Sequence, residues 1–226
     1  MVSTTDPPIV SGGIAHLAGI VYDHLGSLVA LNLLWGVLCI PWIALAALMS
    51  QVSLAIGDSL NLPAAGTIGV GAGLFLCMHS PPTLLLLVAT LPWTRGREAP
   101  SRQEVVKTLR ARCLATQAIG TATAVCAGLL LANALFYHQV GGWFGAMLSG
   151  FMMWLVVALF LLSLYWLPLL ARYPTRPVAQ VLRQGLVLVF SKPVVTLYAA
   201  TILFVLAVLG LASGVGWLCG LVTVGA

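Results

Sequence analysis

Five stretches of this sequence, residues 26–49, 64–93, 114–136, 143–170 and 194–218, run without a single Asp, Glu, Lys or Arg. A hydrocarbon core of about 30 Å takes about 20 helical residues to cross, and each stretch is long enough. In lipid the backbone must satisfy its own hydrogen bonds, which makes helix the form for apolar segments of this length. Composition agrees: 61% of the 226 residues are hydrophobic and 7% charged, where a soluble domain carries about 25% charge to wet its surface. Mean hydropathy is +1.07. The expected fold is all-α, a polytopic membrane helical bundle of five transmembrane helices forming one integral membrane domain over 1–226.

The basic residues orient that bundle. Arg95, Arg97, Arg102, Lys107, Arg110 and Arg112 separate the second and third stretches, and Arg172, Arg176, Arg183 and Lys192 separate the fourth and fifth. With five spans these connections share one side, which the positive-inside bias makes cytoplasmic. The opposite connections, near 50–63 and 137–142, have no Lys or Arg. The N-terminus is then inside and the C-terminus outside. "MVSTTDPPIVSGG" lacks the basic start of a cleaved signal, so the first stretch is expected to remain as an anchor. Residues 13–24 place Ile14, Leu17, Ile20 and Val21 on one face, as an interfacial lead-in would. Trp93, Tyr165, Trp166 and Tyr173 fall at the inner boundary, and Phe136, Tyr137, Trp143 and Phe144 at the outer one, as aromatic belts do. The net charge of +5 is accounted for by orientation and by anionic lipid, with no nucleic-acid partner required.

Two cytoplasmic amphipathic helices are predicted. In "APSRQEVVKTLRARC", Ser101 and Glu104 have capping-box spacing, and helix begun there runs on into the third span. Val105, Val106, Leu109 and Cys113 form an apolar stripe for a membrane surface or a partner. Pro177 to Phe190 reads as the second such helix, with Pro193 opening the fifth span. Candidate partner or lipid contacts are Arg102, Lys107, Arg110, Arg112, Arg176 and Arg183.

"CMHSPPT", Cys77 to Thr83, interrupts the second stretch. Consecutive prolines remove two backbone donors, and the residue before the first is pushed away from helical geometry. The segment is therefore expected to be a proline-broken span of two helical pieces, about 65–78 and 82–93, joined at Ser80 and facing other helices. His79 and Ser80 are expected to satisfy the freed carbonyls. His79, Ser80, Pro81, Pro82 and Thr83 are candidate hinge or ligand residues.

Ionisable groups deep in a membrane mark pathways and catalytic sites, and no Asp, Glu, Lys or Arg lies mid-span here. The mid-span polar set is Asn32, His79, Ser80, Thr83, Gln117, Thr121, Thr123 and Asn133, read as hydrogen-bonding groups between helices. There is no HExxH, no serine-protease motif with a histidine partner and no Walker A sequence. The chain is therefore expected not to be an enzyme and to carry no cofactor. Its five cysteines lack metal-site spacing and read as small apolar residues. Gly69 and Gly73, Gly210 and Gly214, and Gly216 and Gly220 have the spacing of close helix packing, within the chain or between chains.

"LNLLWGVLCIP" (31–41), "PPTLLLLVATLPWTRGREAP" (81–100), "YWLPLLARYP" (165–174) and "VLRQGLVLVFSKPVVTL" (181–197) stand in the order of landmarks seen in the YesL-like family of small bacterial membrane proteins. Over residues 30–205 the chain resembles that family. It departs in having Ser80-Pro81-Pro82-Thr83 where the family prefers Gly-Pro-Ala-Thr, and in extra residues before that turn. The resemblance implies a bacterial inner-membrane protein associated with carbohydrate ABC transport. The expectation is a non-catalytic accessory protein acting through its cytoplasmic basic helices, its partners lipid, ABC transporter components or a second copy. The alternative is a transporter or permease-like protein with a small-molecule path at the broken span.

Overall fold

In the computed structural model, residue 19 and residues 21–59, 65–95 and 100–213 are described. They form helices and short turns, with no strand among the described residues. Of the lead-in expected at 13–24, residues 13–18 and 20 lie outside the described set. So do Gly214, Gly216 and Gly220 of the expected packing glycines.

The first helix, α1, spans Leu25–Ser59, 35 residues, about 52 Å at 1.5 Å per residue. It continues past the expected end at Met49, through residues assigned above to the outer connection. No proline interrupts residues 50–59, and Leu54 there lies across Gly66 of the next helix. That helix, α2 (Gly66–Met78), returns along α1 and is followed by α3 (Pro81–Thr90). A Cβ built on Gly69 would stand 2.6 Å from the Met49 carbonyl oxygen, and one on Gly73 3.0 Å from the Ala46 Cα. The Gly69–Gly73 pair is thus spent on packing α2 against α1 inside the chain, where only hydrogen side chains permit the approach.

A 3-10 turn at Trp93–Arg95 leads toward α4, Arg102–Val140, which opens with the expected capping box. The Glu104 amide donates to Ser101 Oγ at 3.3 Å, and the Ser101 amide donates to the Glu104 carboxylate at 3.0 Å. Gly141 and Gly142, with φ of 72° and 68°, then reverse the chain into α5, Gly142–Arg172. These are angles that residues with a Cβ adopt only under strain. After a turn at 173–177 come α6 (Val178–Ser191) and α7 (Pro193–Ser213), which meet at a 99° bend.

Three helices, α1, α4 and α5, are each long and apolar enough to cross a membrane. The bent pairs α2–α3 and α6–α7 reach that length together, so the described residues hold three to five candidate spans. α2 sits between α1 and α4, α4 also packs along α5, and α6 lies on α5. Two clusters form the core. Ala72, Phe75, Leu76, Ala124 and Ala127 fill one, against Trp42 and Phe160. Leu84, Ile119, Leu170 and Val181 fill the other, against Leu109, Trp166 and Leu182. Large apolar side chains such as Leu114, Trp143, Phe190 and Val194 remain outside, as hydrocarbon surroundings allow and water does not. The break between α2 and α3 falls between the two clusters.

Candidate functional site

The prolines set the geometry of the break. Ser80 is extended, with φ −76° and ψ 153°, as the residue before a proline must be, and Pro81 takes the first position of α3, where no amide is needed. His79 ends α2 in the bridge region, φ −102° and ψ 26°. The two pieces are bent by 41°. His79 is 1% exposed and Ser80 0%, so the break faces protein on all sides. The α2–α3 boundary falls within a residue or two of the expected one, and α3 ends at Thr90 rather than at Trp93.

The side chains that heal the break differ in one respect from those expected. His79 Nδ1 bonds the Phe75 carbonyl at 3.0 Å. The Cys77 carbonyl, whose usual donor is replaced by Pro81, accepts from Thr83 Oγ1 at 3.0 Å and from the Ser80 amide at 3.2 Å. Ser80 Oγ does not reach a freed carbonyl. It meets Thr83 Oγ1 at 3.0 Å and Cys39 Sγ of α1 at 3.7 Å. Trp35 Nε1 also donates to Thr83 Oγ1, at 3.0 Å.

Counting protons fixes the direction of this network. Thr83 has one hydroxyl proton, and the Cys77 carbonyl, a pure acceptor, takes it. Trp35 and Ser80 must therefore both donate to Thr83, which leaves the Cys39 thiol donating to Ser80. The chain runs Cys39 to Ser80 to Thr83 to the Cys77 carbonyl, tying α1 to the break. A second tie lies a turn away along α1, where Trp42 Nε1 donates to Gln117 Oε1 of α4 at 3.0 Å. Neither Trp35 nor Trp42 was singled out by sequence. Their signal is position: both stand mid-span, on one face at a spacing of seven, away from the boundaries that indoles usually mark.

The basic residues do not form one set. Arg102, Lys107 and Arg110 are exposed on the first turns of α4, and Arg183 is exposed on α6. Arg112, expected among the partner or lipid contacts, is instead buried at 7% exposure. Its Nε donates to the Pro174 carbonyl at 2.9 Å and its Nη2 to the Tyr173 carbonyl at 3.2 Å and to the Arg176 carbonyl. A fork of donors suits a turn whose carbonyls all point one way. Arg112 is thus a clasp between α4 and the α5–α6 turn. Arg176, half-buried, places its guanidinium 3.9 Å from the Tyr173 ring centre, and Arg172 lies 5.4 Å from that ring. The stripe expected at a membrane or partner is likewise divided: Leu109 packs inside against the Leu84 cluster, and Val106 is exposed.

Comparisons with protein-family models, with curated proteins and with solved structures each found no match to this chain.

Proposed function

We propose that this chain is a non-catalytic multi-pass accessory protein of the bacterial inner membrane, with its N-terminus cytoplasmic and its C-terminus outside. Its working surface is the inner face that carries Arg102, Lys107, Arg110, Arg176 and Arg183. The observation that carries the reading is the Arg112 clasp. By holding the 173–176 turn to α4, it keeps two basic segments far apart in sequence at the same end of the bundle. In this reading α6 is an amphipathic helix lying along the inner boundary, which its right-angle bend into α7 and its exposed Leu186, Val187 and Phe190 support. The partner class is a cytoplasm-facing protein component. That it belongs to carbohydrate ABC transport rests on the YesL-like resemblance alone.

The test is affinity purification of the full chain in mild detergent, with Arg102, Lys107 and Arg110 reversed together to Glu. Loss of a partner that the unmodified chain retains is the expected result. Undiminished recovery with the triple variant would count against the inner surface.

A transporter is the second reading, favoured by one feature: a broken helix with a buried histidine at mid-span. Its test is solute flux in reconstituted vesicles, lost on His79→Ala.

A further inference from the structure

Four buried side-chain atoms among the described residues lack a hydrogen-bonding partner: His79 Nε2, Trp93 Nε1, Thr116 Oγ1 and Trp166 Nε1. Trp93 stands apart at the end of α3, stacked on His24. The other three converge. The His79 and Trp166 rings are 6.2 Å apart, centre to centre. Gly120 of α4 backs onto His79, and the Ser163 backbone of α5 lies beside the ring, while by distance and angle Nε2 has no hydrogen-bonding partner. α4 and α5 are antiparallel, so one turn toward the inner side leads from Gly120 to Thr116 and from Ser163 to Trp166. Thr116 and Trp166 therefore stand at one level, a turn below His79. Ile119, between Thr116 and Gly120, packs in the cluster that Trp166 lines.

The chemistry of the three groups is complementary at one remove. The Phe75 carbonyl can only accept, so Nδ1 of His79 carries the proton and the neutral ring leaves Nε2 as an acceptor. Trp166 offers a donor only. Thr116 can do either, and it does not take the bond to its own helix that Thr123 makes with the Ile119 carbonyl at 2.9 Å. A donor and an acceptor thus sit on rings 6.2 Å apart without meeting, with an unmatched hydroxyl at the level of Trp166 on α4. Two glycines keep side-chain atoms clear: Gly120 next to His79, and Gly185 of α6, whose Cβ would stand 2.9 Å from Trp166 Nε1.

We propose that His79, Thr116 and Trp166 form a buried hydration site, in which water donates to His79 Nε2 and accepts from Trp166 Nε1–H. The apolar cluster beside them is Leu84, Ile119, Leu170 and Val181, and a neutral imidazole, an indole and a hydroxyl bring no charge to be paired, so the ligand is neutral. A buried water of this kind makes about three hydrogen bonds to groups that protein alone leaves unmatched. The site hydrates the α2–α3 break from the side opposite the Cys39–Ser80–Thr83 chain. It is independent of which partner the inner surface takes.

Millisecond hydroxyl-radical footprinting of the full chain in nanodiscs tests this, because radicals made from bound water mark the side chains that water touches. Rates are normalised to those of the unfolded chain, and Phe75, at 6% exposure, serves as the comparator. Although His79 is the more deeply buried, it is expected to label at least fivefold faster than Phe75. Thr116→Val should reduce that excess and lower the thermal midpoint. Labelling of His79 no faster than Phe75 overturns the proposal, and this comparison needs only the unmodified chain. A Thr116→Val protein that is more stable, with His79 labelling unchanged, also overturns it, since that is how a dry core responds to loss of an unmatched hydroxyl.

Discussion

Gly120 of α4 lies against the backbone of His79, such that a Cβ added to it would stand 3.1 Å from both the His79 Cβ and the His79 carbonyl oxygen. The longest helix among the described residues thus rests on the break between α2 and α3. Backbone cannot swing aside as a long side chain can, so Gly120→Ala is expected to destabilise by about 1–3 kcal/mol, the usual range for overpacking. Gly36→Ala on α1 has nothing within 4 Å of its new methyl and should stabilise by about 0.5–1 kcal/mol through helix propensity. Thermal midpoints of the two variants in one detergent provide the comparison, and equal midpoints would refute the contact.

Thr83 is the hub of the network at the break, bonded to Trp35, Ser80 and the Cys77 carbonyl. Thr83→Val keeps the shape and removes the hub, leaving the Trp35 indole and Ser80 hydroxyl without their acceptor and the Cys77 carbonyl with the Ser80 amide alone, at a cost of about 1–3 kcal/mol. Thr83→Ser should recover most of this. Denaturation in mixed micelles, followed by tryptophan emission, reads the loss. A valine variant as stable as the serine variant would mean the network adds nothing.

The Arg112 clasp predicts a change in local opening rather than in global stability alone. In Arg112→Gln the 173–176 turn loses its three-point hold, and trypsin added to the chain in mild detergent should cut after Arg172 several-fold faster. Arg112→Lys is expected to resemble the glutamine variant, because an ammonium lacks the planar fork. Cleavage unchanged in both variants would show the turn to be held by other means.

The proposed threading predicts which ends meet which solution. In a cysteine-free background, a membrane-impermeant maleimide added outside intact cells should label Val140→Cys and spare Arg102→Cys. Inverted vesicles should give the reverse. Labelling of Arg102→Cys from outside would invert the orientation.

The location of the break was legible because prolines act locally: two of them remove donors and fix the preceding residue wherever the chain goes. Which side chain heals it was less legible. Ser80 is nearer the freed carbonyls in sequence, yet its extended backbone turns the hydroxyl toward α1, and Thr83, one turn into α3, reaches back instead. Arg112 shows a signal that was present and not used. At about 100° per residue it falls across the helix from Lys107 and Arg110, on the side of Val105 and Leu109, while Arg102 stands to one side in the first turn. Counting charges by connection grouped the four together, whereas the helix divides them. The partners Trp35 and Trp42 find on other helices depend on how α1 packs, and no local pattern encodes that.

α4 is one unbroken rod from the capping box at Ser101 to the glycine turn at Gly141. Gly120, near its midpoint, is where the rod bears on His79. A rigid bar supported at its centre moves its ends in opposite directions. If the proposed inner surface takes a partner on the exposed arginines at one end of α4, the load would reach the α4–α5 hairpin at the other, with the α2–α3 break as the fulcrum.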